Sequence, residues 1–209
     1  LDAAAVLIVE LDGLPAGVSR EVEAVAAIAR ECGARTVRIA ADEGERARIW
    51  KGRKGAFGAI ANIKPSYYLH DTVIPRTRLA EVVTGVNAIA ERHGLIVMNV
   101  FHAGDGNLHP LLVFDHREPG VMERVLAAGE EIVRLSVEVG GVLSGEHGIG
   151  LEKRRFMPLL FSEEDLVAQR VLRDAFDPDG VANPHKVLPS GSSCGDVQGL
   201  PEIPEGVWV

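Results

Sequence analysis

Apolar and polar positions alternate in recognisable blocks along the chain. "AAVLIVELDG" is a short apolar run ending in a turn signal and predicts a buried strand. In "SREVEAVAAIARECGA", Val22, Val25, Ala26, Ala29 and Cys32 fall at helical spacing, with Ser19 as the expected N-cap and Gly33 as the stop. "ARTVRIA" predicts a second strand. "DEGERARIWKGRKGAFGAI" opens with acids and continues into bases, the order a helix dipole favours. "SYYLHDTVIP" predicts a third strand closed by Pro75, and "RTRLAEVVTGVNAIAERHG" a helix ending at Gly94. "LIVMNVFH" and "NLHPLLVFD" read as two strands joined by a tight turn, and "VMERVLAAGEEIVRLSVEVGG" as a long helix. A glycine-rich stretch, "VLSGEHGIGLEKRRFM", leads into a short helix. In "SEEDLVAQRVLRDAFD" Ser162 and Asp165 stand at capping-box spacing. The expected fold class is α+β: a mostly antiparallel sheet covered by helices on one face, with ferredoxin-like elements and C-terminal helices. Residues 1–188 are expected to form one domain, and 189–209 a flexible Pro/Gly/Ser tail unless Val207 and Trp208 dock.

Composition narrows the function classes. The 209 residues are 46% hydrophobic and 25% charged, an ordinary globular balance with enough chain for a sizeable core. A formal net charge of -8 argues against nucleic acid as a partner. No apolar run is long enough for a transmembrane segment, and the opening has no basic stretch of a signal peptide. The first residue is Leu, so a piece of a longer protein is the expectation. Cys32 and Cys194 lie far apart in dissimilar settings, which sets a reducing, cytoplasmic compartment as the default. No G-x-G-x-x-G follows a strand, so nothing here predicts a Rossmann cofactor site.

The chemistry concentrates in "FHAGDGNLHP". If its turn joins two strands, His102 and His109 lie across from each other with Cβ atoms about 5 Å apart, and both can reach one metal ion. "SGEHGIG" offers the third ligand through Glu146 or His147. A His, His and carboxylate set suits Zn²⁺, Fe²⁺ or Mn²⁺ and leaves a position open. Asp105 is expected to be a turn former, and His70, His93, His116 and His185 surface residues. Arg48, Arg53 and Lys54 are either a solvated helix face or an anion site, since Arg matches a carboxylate with two parallel bonds.

At these residues the sequence resembles the C-terminal region of the FAD-linked oxidases, a family that includes D-lactate and D-2-hydroxyglutarate dehydrogenases and the flavin subunit of glycolate oxidase. "FHAGDGNLHP", "SGEHGIGLEKRRFM" and "DPDGVANPHKVLP" carry the resemblance, with "LIVELDG", "RIWKGRKGAFGAI" and "YYLHDTVIPR" closest to the glycolate oxidase subunit. It runs from about Ala5 to Leu188. The resemblance implies metal ligands at His102, His109 and Glu146, an active-site histidine at His147 and a carboxylate-binding arginine at Arg53. It implies FAD, bound mainly by a preceding FAD-binding domain that this chain lacks, a small 2-hydroxy monocarboxylate such as glycolate or D-lactate as substrate, and other oxidase subunits as partners. The family's "NPGK" is here "NPHK", so a different local backbone is expected at His185. Leu111 stands where the 2-hydroxyglutarate enzymes carry asparagine, which argues against a dicarboxylate. A metal-dependent hydrolase with Glu146 or His147 as base, and a non-catalytic assembly subunit, are the rival readings.

Overall fold

A computed structural model describes residues 3–189, so Cys194, Val207, Trp208 and the expected tail beyond position 189 lie outside the described residues. The chain divides into two compact units, Leu1–Ile60 and Ala61–Val209.

The first unit carries two helices, α1 (Pro15–Glu31) and α2 (Glu43–Ile60). α1 starts four residues before the expected cap. Leu14 is extended and Pro15 occupies the first turn, where its fixed φ suits a helix and its missing N–H costs nothing. Ser19 therefore lies inside the helix and donates its hydroxyl to the Pro15 carbonyl. Gly33, at φ 85°, ends the helix as its position predicts. α2 begins where Asp42 accepts from the Glu45 amide, with Glu43 and Glu45 in its first turn. The two strands expected at "AAVLIVELDG" and "ARTVRIA" do not form: neither segment pairs with a strand among the described residues. An apolar run signals a preference for burial, but a strand also needs a partner. Here Val6, Leu7 and Ile39 stay more than half exposed.

The second unit is built on β4 (Asn107–Phe114), which is buried at every position. β3 (Ile96–His102) runs antiparallel along one edge. β1 (Ser66–Leu69) and β2 (Thr72–Val73) follow one another along the other. The expected single strand over 66–75 is thus interrupted at His70 and Asp71. Pro110 supplies the reason. The His70 amide donates to the Pro110 carbonyl at 2.9 Å, but proline has no N–H to return the bond, so the ladder loses a rung there.

Alternation along the strands sorts the sheet into two faces. Leu108, Leu112 and Phe114, with Tyr68, Val97 and Phe101, pack against α3 (Leu79–Arg92) and α4 (Val121–Glu138) in the main core. Asn107, His109 and Leu111 point to the other face. A second cluster of Val133, Leu143, Phe156 and Met157 sits beneath the glycine-rich segment and the short 3-10 turn Arg154–Leu159. α5 (Glu163–Phe176) begins with the expected reciprocal cap between Ser162 and Asp165. Among the described residues, no helix is long and apolar enough to cross a membrane.

Two of the four histidines expected at the surface are not there. His93 is half-buried, with Nε2 at 2.7 Å from Glu131 of α4. His70 is 5% exposed and fits against α4 only because residue 129 is glycine: a Cβ there would lie 2.6 Å from the imidazole. Its Nε2 has no hydrogen-bond partner. Burial, reinforced by the nearby Lys153 charge, pushes the ring from 6.5 to about 3.

The sign of the resulting pH dependence is fixed. Below its ordinary value the unfolded chain binds the His70 proton and the folded chain does not. This stability is fully present above pH 6.5 and is lost as pH falls toward 3. Between pH 7 and pH 5 the loss amounts to about 2 kcal/mol. Urea unfolding at those two pH values is expected to show that loss in the wild type and a smaller one in His70→Leu; equal losses would assign the acid sensitivity elsewhere.

Candidate functional site

His102 ends β3 and His109 lies near the start of β4. The sequence places them across from each other, but they are not directly opposite: His102 pairs with Asn107, and His109 with Val100. The four-residue turn, 103–106, shifts the register by one pair. The histidines are diagonal neighbours on the sheet face away from α3 and α4. Imidazole is long enough to span that diagonal. The rings meet edge to face, with centroids 5.5 Å apart.

Glu146 joins them. One carboxylate oxygen is 3.5 Å from His102 Nε2 and the other 3.5 Å from His109 Nε2. The three ligand atoms lie within 4.8 Å of one another. His147 stacks its ring on His109 at 5.2 Å and 21°. The structure thus brings together four of the five residues singled out from the sequence. Arg53, the fifth, lies on α2 in the first unit, its guanidinium 5.8 Å from the centre of the Phe57 ring.

What holds Glu146 and His147 in place is Asp71, in the gap between β1 and β2. Its carboxylate is wholly buried. It accepts the Ser144 hydroxyl at 2.5 Å and the amides of Gly145, Glu146 and His147 at 2.9 to 3.0 Å. Ser144 in turn accepts from the Gly148 amide at 2.7 Å, closing the loop on itself. Lys153, also buried, donates to the Asp71 backbone carbonyl. Its Nζ is 3.7 Å from the carboxylate. Burial pushes the Asp71 carboxyl up, but these donors and the Lys153 charge outweigh it and hold the group at about 2. Burial pushes Lys153 down, against the pull of Asp71.

Gly145 lets the loop come this close. A Cβ there would lie 2.5 Å from Val73 Cγ2 and 2.9 Å from the Asn107 carboxamide. Asn107, 4% exposed, leaves its Oδ1 without a partner, and His109 does the same with Nδ1. Burial lowers the His109 pKa more than the Glu146 and Asp71 charges raise it, which favours the neutral ring that a metal ligand needs. Two imidazole nitrogens and a carboxylate, with an orphaned ring nitrogen behind one of them, fit a divalent cation.

Asp71, Ser144 and Lys153 were missed in the sequence. Asp71 carried a signal: an acid inside an aromatic and β-branched strand must be paired if it is buried. Lys153 was masked by the basic run around it. Leu111 is fully buried two positions after His109, on the same face of the sheet. His185 takes φ 65°, the left-handed conformation that glycine adopts freely, and Asn183 and Val187 are also left-handed. The local backbone therefore stays in glycine's region. Arg173 anchors it through the carbonyls of Ala182, Asn183 and Lys186, and Arg154 through that of His185.

The family model described as FAD linked oxidases, C-terminal domain, matches residues 1–187. The glycolate oxidase subunit GlcD of Escherichia coli (strain K12) is 46% identical over 196 residues, which cover 94% of this chain and 39% of the relative. GlcD of Bacillus subtilis (strain 168) is 37% identical, with 89% and 40% covered. The D-lactate dehydrogenase of Archaeoglobus fulgidus is 33% identical, with 80% and 37% covered. The chain therefore spans about two fifths of these relatives' length.

Gly145→Ala tests whether close approach sets the loop. The added methyl is expected to cost about 1–3 kcal/mol in urea unfolding. It should also speed hydrogen exchange at the amides of Glu146 and His147 at least tenfold. Unchanged exchange would mean that the loop accommodates the methyl without leaving Asp71.

Proposed function

Because the chain belongs to the C-terminal domains of the FAD-linked oxidases, we propose that it is the substrate- and metal-binding part of an FAD-dependent 2-hydroxy acid dehydrogenase. The observation that carries this reading is the convergence of His102, His109 and Glu146, with His147 stacked beside them. His102, His109 and Glu146 would hold a divalent cation that supplies Lewis acidity, and FAD would supply the electron acceptor.

The chain's own residues divide the remaining work. His147 is exposed and carries its ring at the edge of the cluster, where a substrate hydroxyl can approach. It accepts the hydroxyl proton on its ring nitrogen lone pair while the substrate carbon gives up its hydride. Arg53 is assigned to the substrate carboxylate on the match of its motif and on the two-pronged geometry of guanidinium. Leu111, buried two positions after His109 on the same face of the sheet, has no donor for a second carboxylate, which favours glycolate or D-lactate over 2-hydroxyglutarate.

Calorimetric titration of the 209-residue chain with Zn²⁺ or Mn²⁺ is expected to show one site per chain. His109→Ala should weaken it at least a hundredfold, and an unchanged affinity would move the metal away from this cluster.

In the complete oxidase, kcat/KM is expected to be higher for glycolate or D-lactate than for 2-hydroxyglutarate by at least tenfold. Equal efficiency would show that a residue other than Leu111 handles the second carboxylate.

A further inference from the structure

Asp71 faces its neighbours with two oxygens, and the loop draws mainly on one. Oδ2 receives the Ser144 hydroxyl and the Glu146 and His147 amides. The Gly145 amide lies 3.0 Å from Oδ2 and 3.2 Å from Oδ1. Oδ1 also stands 4.0 Å from Nδ1 of His109. That nitrogen is buried and has no hydrogen-bond partner. The other nitrogen of the same ring, Nε2, stands 3.5 Å from Glu146.

A neutral imidazole carries one proton, and the two placements differ sharply here. With the proton on Nε2, the ring has no lone pair to offer where His102 and Glu146 converge. Its bare Nδ1 would also confront a buried carboxylate, two acceptors with no proton between them. With the proton on Nδ1, both conflicts disappear. The two carboxylates do compete for the ring: Nε2–H could donate to Glu146. Glu146 is half-exposed and keeps its water, whereas Asp71 is wholly enclosed. A charge-assisted hydrogen bond is stronger in the drier setting, so Asp71 wins. At 4.0 Å the pair is beyond hydrogen-bond reach, and closing it takes a movement of about 1 Å, within the range of small side-chain rotations.

We propose that Asp71 is a positioning residue with two tasks: Oδ2 fixes the loop that carries Glu146 and His147, and Oδ1 selects the Nδ1–H tautomer of His109, leaving Nε2 as the lone-pair donor to the cluster. One carboxylate thereby sets both the placement of the acid and the proton on the histidine it meets. The use of that lone pair rests on the metal reading given above; the tautomer does not, and can be read without metal.

The test is long-range proton–nitrogen NMR of the metal-free 209-residue chain with ¹⁵N-labelled histidine, the His109 signals being assigned by their loss in His109→Gln. The expected result is a His109 ring protonated at Nδ1. A ring protonated at Nε2 overturns the proposal, and this measurement needs no Asp71 variant to fold. Ser144→Ala, which removes a loop contact without touching Oδ1, should leave the tautomer unchanged; a shift there would overturn the separation of the two tasks. Asp71→Asn, shown folded by circular dichroism, should shift the ring toward Nε2–H and weaken Zn²⁺ binding by about 10- to 100-fold. An unchanged tautomer in that variant overturns the proposal. Wild-type chain that shows Nδ1–H yet binds no Zn²⁺ would sink the metal reading while the tautomer assignment stands.

Discussion

A single enclosed carboxylate organises the site. An ionised group removed from water is costly unless its neighbours replace the lost hydration. Asp71 meets that requirement with a hydroxyl, three amides and an ammonium, nearly all from one segment of chain. The requirement works in both directions. The loop from Ser144 to Gly148 has no regular structure of its own, and its amides need an acceptor as much as Asp71 needs donors. Neither side is satisfied alone, so the loop has one low-energy position, and that position puts Glu146 beside the two histidines.

The sheet supplies the other half of the geometry. Strand alternation sends His109 and Asp71 to the face that α3 and α4 leave uncovered, and Leu108 and Leu112 into the core. Pro110 sits between these alternating positions. By withholding one amide from the ladder it opens the interruption in which Asp71 turns its carboxylate toward His109. The core is therefore not a separate matter from the chemistry: the same strand carries fully buried leucines and the buried His109.

Much of this was legible in the sequence, for identifiable reasons. Helices with long apolar periodicity and firm stops, such as α3 and α4, follow directly from their spacing. The Ser162 cap is local and forms as written. The histidine turn and the Glu-His loop were readable because short glycine-flanked polar motifs have few purely structural uses. What escaped was whatever depends on a distant partner. "AAVLIVELDG" has the composition of a strand but finds no ladder among the described residues. His70 looks like a surface residue until Gly129, far along the chain, leaves a space for it. Asp71 looks like one charge in a strand until Ser144 arrives. The diagonal offset of His102 and His109 depends on a turn length that residue types do not dictate.

Separation along the chain also has a temporal side. Ser144 follows Asp71 by 73 positions and His147 by 76. At ribosomal rates of about 5–20 residues per second, Asp71 exists for on the order of ten seconds before its partners are made. The hairpin with both histidines rests on contacts local in sequence, so it needs nothing from the glycine-rich segment to form. During synthesis the molecule thus passes through a stage in which two imidazoles are paired and the acid that completes the set has not yet left the ribosome. The last part of the site to be made is the glycine-rich segment, whose Ser144 hydroxyl and amides close onto a carboxylate synthesised 73 to 76 positions earlier.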